Sequence, residues 1–205
     1  MGEFASLIGA LWGMRRRAAP GRARRRHGLD NRPMRSSSLL VSIIPLVLAA
    51  GCSPALNWRK VSPEGAQVQL MFPCKPDREE RTQPGPAGQA VAVRSLSCKA
   101  RGAQFSLTWT DLRDAGATSA AMRRMHEGIA RQMAPQASAP LGVRGIAADP
   151  EAFQQSFEAR AGQPRQQVRQ AVFSRGGRLY QLLMQGERLD PEAWDVFLGS
   201  VELPP

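Results

Sequence analysis

Apolar and polar positions alternate with a period of two along several stretches of this chain. Val68, Leu70 and Phe72 alternate with Gln67, Gln69 and Met71, and Phe105, Leu107 and Trp109 alternate with Ser106, Thr108 and Thr110. Successive side chains of a strand point to opposite faces, so each run predicts a strand with one buried face. Residues 90–98, 151–160, 166–174 and 178–185 read as further strands. Arg175-Gly176-Gly177 separates the last two, and its paired glycines suit a tight hairpin that needs positive φ.

The period changes in the middle of the chain. Met122, Met125, Ile129 and Met133 recur at spacings of three and four, which predicts a helix with one apolar stripe. Thr118 or Ser119 can cap its start, and Pro135 forbids its continuation. A second, shorter helix is expected over residues 191–198, capped by Asp190 and turning Trp194, Phe197 and Leu198 inward. Residues 200–203 could close as a strand. Residues 82–89, with Pro84, Gly85, Pro86 and Gly88, read as a loop, as do residues 135–140. The order strands, helix, strands, helix predicts an α+β fold in which an antiparallel sheet is flanked by one long and one short helix. Residues 58–205 are about the size of one domain with a single core.

A third pattern lies upstream. Residues 39–50 are 12 uncharged and largely apolar positions, preceded by Arg35 and followed by Gly51 and Cys52. A bilayer core of about 30 Å asks for about 20 apolar residues, so this run is too short to span. Its basic, apolar and small-residue regions are those of a secretory signal. Met34 offers a compact start for such a signal over residues 34–51. Residues 1–33, which are rich in arginine and contain Pro20 and Pro33, then read as an over-extended or disordered basic segment. The triplet Arg15 to Arg17 lies too far from the apolar run to serve as a twin-arginine signal.

Leu48-Ala49-Ala50-Gly51-Cys52 resembles the lipobox of bacterial lipoproteins. The resemblance implies cleavage before Cys52, a diacylglyceryl group on its thiol and usually an acylated amino terminus. Residues 52–57 would then be a tether. Ser53 stands where an aspartate marks inner-membrane retention in Gram-negative lipoproteins, which implies an outer-membrane anchor with the domain in the periplasm. An ordinary signal peptide with a coincidental cysteine, or an uncleaved anchor, are the competing readings.

The signal reading changes the meaning of the charge. The full chain has a net charge of +11, but residues 1–51 hold 9 of its 28 basic and 2 of its 17 acidic residues. The remainder has 19 basic and 15 acidic residues, a net of +4 (19 − 15). It lacks the dense basic stripe interleaved with aromatics that favours nucleic acid.

With Cys52 carrying lipid, Cys74 and Cys98 are left as natural partners for a disulfide in an oxidising compartment. Each would end a strand, and neighbouring strands could bring them together. A redox or metal pair is the alternative, although there is no C-x-x-C and no histidine near either cysteine in sequence.

The candidate chemistry elsewhere is sparse. His126 is the single histidine after residue 51 and lies beside the apolar stripe of the long helix, where an ordinary boundary role fits better than catalysis. Met122, Met125 and Met133 fit core packing rather than copper binding. Glu79 and Glu80 would point to opposite faces of a strand, and Asp111 and Asp114 read as turn residues. No G-x-S-x-G motif or phosphate loop is present. Trp58, Trp109, Trp194 and Tyr180 read as core or edge anchors. No catalytic, cofactor-binding or metal-binding residue is therefore assigned.

Val68 to Pro76, V-Q-L-M-F-P-C-K-P, together with Arg178 to Leu182 and Phe197 to Val201, resembles the opening and closing segments of PsbP-like α/β domains. That family includes many envelope and assembly proteins without known activity. The resemblance implies a binding or scaffolding domain rather than an enzyme. The expected partners are the membrane, through the lipid anchor, and another protein. A small-molecule carrier and a hydrolase built on His126 are the alternative functions.

Overall fold

A computed structural model describes residues 56–85, 88–146 and 149–204. The expected basic segment, the signal, Cys52 and most of the tether lie outside the described residues.

The described residues form nine strands and two helices. The strands are β1 (Arg59–Val61), β2 (Leu70–Phe72), β3 (Asp77–Pro84), β4 (Ala90–Ala100), β5 (Ala103–Asp111), β6 (Ala134–Ala139), β7 (Phe153–Glu158), β8 (Gln167–Arg175) and β9 (Arg178–Gly186). The helices are α1 (Ala115–Gln132), between β5 and β6, and α2 (Pro191–Gly199), after β9. Seven strands make one sheet in the order β3-β4-β5-β9-β8-β7-β6, and β1 and β2 make a separate small sheet. Every neighbouring pair is antiparallel. The fold is α+β, as the alternating and helical periods predict.

The period-two pattern of the central strands gives both faces of the large sheet something to bury. On one face Phe105, Leu107, Trp109, Tyr180 and Leu182 are almost wholly enclosed, and they pack with Leu70 and Phe72 of β2 and Trp194 and Phe197 of α2. Phe197 meets both Phe72 and Phe105 edge to face, at centroid distances of 5.2 and 5.4 Å, an arrangement favoured by the ring quadrupoles. On the other face α1 lays Met122, Met125 and Ile129 over Val172, Leu179 and Leu183. The α2 start is as expected: Asp190 caps it by accepting from the Glu192 amide at 3.0 Å. The β8–β9 hairpin is also as expected, with Gly176 at φ 58° and Gly177 at φ 76°. A Cβ on Gly177 would lie 2.9 Å from the Arg113 Cα, so this turn needs glycine for space as well as for φ.

Several expectations need correction. Residues 135–140 are not simply a loop, because β6 occupies most of them as an edge strand, where Pro135 is tolerated for want of a neighbour on its outer side. The loop expected from residue 82 begins after Pro84, since β3 runs that far. Helix α1 starts earlier than Thr118 or Ser119, with Asp114 as its cap accepting from the Ala117 amide. The first expected strand is shorter, because Gln67 sits at φ 50° and breaks the extended run. The closing strand reduces to a single bridge between Gln69 and Glu202.

Candidate functional site at the stapled end of the sheet

One end of the large sheet gathers several chain connections and lies beside the disulfide. Ala103 of β5 pairs with Gly186 of β9, Gly186 with Gln167 of β8, Gln167 with Glu158 of β7, and Glu158 with Ala134 of β6. The β4–β5 turn, the β7–β8 loop, the exit from β9, the start of α2 and the end of α1 therefore lie along a single rim.

The chain joins the fold at this rim. The Asn57 amide donates to the Pro73 carbonyl at 2.9 Å, and the next residue along, Cys74, is bonded to Cys98 of β4 with a Cα separation of 6.0 Å. The Trp58 ring stands edge to face against Phe105, 6.4 Å between centroids. The pairing of Cys74 with Cys98 is as expected, but the route differs. Cys74 follows β2 of the small sheet and Cys98 belongs to β4 of the large one, so the bond staples two sheets rather than neighbouring strands. Its effect is to hold the first described residues to the large sheet.

Helix α1 ends at the same rim. Its last carbonyls, left without intrahelical donors, face Arg160, whose Nη2 donates to Ala130 O at 2.8 Å and approaches Met133 O at 3.4 Å. A guanidinium there also opposes the negative end of the helix dipole. Between Arg131, Met133, Arg160, Gln163 and Gln166 lies an open cleft of about 380 Å³.

The opposite end carries charges that satisfy one another. Arg178 Nε donates to Asp111 Oδ1 at 2.6 Å, Arg94 lies 3.9 Å from the other Asp111 oxygen, and Arg94 also reaches Glu80 at 3.3 Å. Burial works to lower the Arg178 pKa, but hydrogen bonding to Asp111 and Tyr180 outweighs it and the net shift is upward. Burial pushes the Tyr180 phenol up, against the opposing pull of the Arg178 guanidinium. The phenol donates to Ala66 O at 2.7 Å, tying the large sheet to the segment before β2.

The remaining candidates fall apart as a site. His126 stands edge to face on Phe153, 4.8 Å between centroids, with Phe157 at 6.4 Å, so its ring surroundings are aromatic. Glu79 pairs with Arg81 at 2.8 Å along β3, while Glu80 turns to Arg94 on the other face. Asp114 is spent on the helix cap and Asp111 on Arg178. Met122, Met125 and Met133 are core. Trp109, Trp194 and Tyr180 are buried anchors, and Trp58 is half-buried. Among the described residues there is no group of three or more His, Cys, Asp or Glu that could hold a metal, and no helix is long and apolar enough to cross a membrane.

Sequence reasoning missed the Arg160 cap and the Arg178–Asp111 pair. The signal for the second was present: Asp111 and Arg178 end adjacent antiparallel strands, which places them directly opposite. Compared with known proteins, the chain matches no family model and no curated sequence.

Proposed function

We propose that the chain is an envelope lipoprotein: cut before Cys52, anchored by acyl chains on that residue, and carrying a non-catalytic binding or scaffolding domain in the periplasm, with the outer membrane as its site. The reading rests on one juxtaposition. A lipobox-like segment ends only five residues before Asn57, the point at which the chain is hydrogen-bonded beside a disulfide. A disulfide fits an oxidising compartment, and multiple acyl chains suffice for stable anchoring where one holds only marginally.

The domain is read as PsbP-like, which the antiparallel sheet flanked by two helices supports at the level of fold class. A binding role fits a molecule in which Asp114 is engaged in a helix cap and Asp111 in an ion pair, and whose interior is filled by large side chains such as Trp109 and Trp194. The partner at the membrane is lipid; a protein partner is expected at the domain. Metabolic labelling with an acyl-chain analogue tests the anchor: label in the wild type and none in Cys52→Ala is expected, and equal label in both contradicts it. Crosslinking in intact cells tests the scaffold, with a discrete crosslinked protein expected and none contradicting it.

A further inference from the structure

We infer that the rim at which the chain joins the fold is a membrane-facing surface that docks on anionic phospholipid headgroups. The inference rests on the lipid anchor proposed above and adds to it an orientation and a second contact.

The first ground is reach. Cys52 and Asn57 are five residues apart. At about 3.3 to 3.6 Å per residue a fully extended chain spans at most about 18 Å. Asn57 is fixed to Pro73, next to the staple, so the rim is the part of the large sheet held nearest the anchor. The far ends of the strands are a strand-length away, because β5 and β9 each run nine residues from the rim.

The second ground is charge. The connections at the rim expose Lys75, Arg101, Arg160, Arg165 and Arg188, and the exposed acids within them are Glu187 and Asp190. The flanking element ends add Lys99 and Arg131 on one side of the balance and Asp77, Glu158 and Glu192 on the other. The rim thus holds seven basic and five acidic groups, a net of +2 (7 − 5), against +4 for all of residues 52–205. Half of the excess charge sits on the face that the tether turns to the bilayer. Groups of both signs are engaged within the fold: Glu158 with Gln167 and Asp190 with the start of α2, Arg160 with the end of α1 and Arg131 with Glu127 at 3.7 Å. Basic side chains within a Debye length of an anionic leaflet are attracted to it, and the attraction is screened by salt.

Hydrogen exchange on the mature protein, recovered from cell membranes and reconstituted with vesicles, tests this. On vesicles rich in phosphatidylglycerol, residues 99–103 and 159–166 are expected to exchange at least about threefold more slowly than on pure phosphatidylcholine. The difference should vanish in about 0.5 M salt and in Arg101→Glu/Arg165→Glu. It should persist in Arg113→Glu/Arg144→Glu, which removes the same charge elsewhere on the surface. Equal exchange on both vesicle types, in protein that floats with them, overturns the headgroup contact and leaves the anchor standing. Protein that does not float with either vesicle overturns both.

Discussion

Arg160 places one guanidinium nitrogen 2.8 Å from the carbonyl oxygen of Ala130, closing the last turn of α1 with a side chain that follows β7. The contact couples the helix to the sheet rim and opposes the helix dipole at its negative end. Arg160→Ala is expected to cost up to about 1 kcal/mol, read as a fall in Tm of about 2 to 4 °C. Faster exchange of the amides in the last turn of α1 should accompany it. An unchanged Tm would mean that water replaces the guanidinium without loss.

The disulfide should contribute substantially to stability, both as a crosslink and because Cys98 is itself part of the buried core. It closes a sequence separation of 24 residues, for which the chain-entropy model gives roughly 3 to 4 kcal/mol. Cys74→Ser/Cys98→Ser is expected to lower the denaturant midpoint accordingly. Because the bond joins the small sheet to the large one, exchange at Asn57 and in β1 and β2 should rise before that of β8 and β9.

The chain has one tyrosine, so its phenol can be followed alone. Burial raises the Tyr180 pKa in the folded state above the unfolded value near 10. The folded protein therefore keeps a proton that the unfolded chain loses, and the linkage has a definite sign. Stability from this group is fully present below pH about 10 and is lost as pH rises through the folded pKa. Absorbance titration should show the phenol ionising later in native protein than in denaturant. Tyr180→Phe should flatten the alkaline decline, while losing about 1 kcal/mol at neutral pH through the bond to Ala66 O.

Gln170 lies wholly buried in the centre of β8, and neither atom of its amide reaches a partner among the described residues. Its cross-strand neighbour Gln155 has an unpartnered oxygen as well. Leaving buried polar atoms unpaired costs about 1 to 3 kcal/mol, so Gln170→Met is expected to leave stability unchanged or raise it by about 1 kcal/mol. A clear loss in chemical denaturation would contradict this.

What the sequence disclosed, and what it hid, follows from burial. Strands with one or two buried faces announced themselves: the alternation from Phe105 to Trp109 and the glycine pair at Gly176-Gly177 placed β5 and the β8–β9 hairpin. The apolar stripe from Met122 to Met133 placed α1. The two edge strands did not show. β3 reads Asp-Arg-Glu-Glu-Arg and is exposed along almost its whole length, and β6 is small, polar and contains proline. Both features guard a sheet edge against unwanted pairing, and both erase the pattern by which a strand is read. The Cys74–Cys98 pair was legible from arithmetic alone, but its role as a link between two sheets was not. The rim was invisible for a different reason: its charges are scattered from Lys75 to Arg188 and are brought together only by the antiparallel register.

The central claim is that Cys52 carries the lipid that turns this rim toward a membrane. Mass analysis of the amino-terminal peptide from the mature protein tests it most directly. The account predicts a peptide beginning at Cys52 and heavier than its sequence by a diacylglyceryl group and usually a further acyl chain. A peptide with a free Cys52 thiol, or one continuing upstream through residues 39–50, would contradict it.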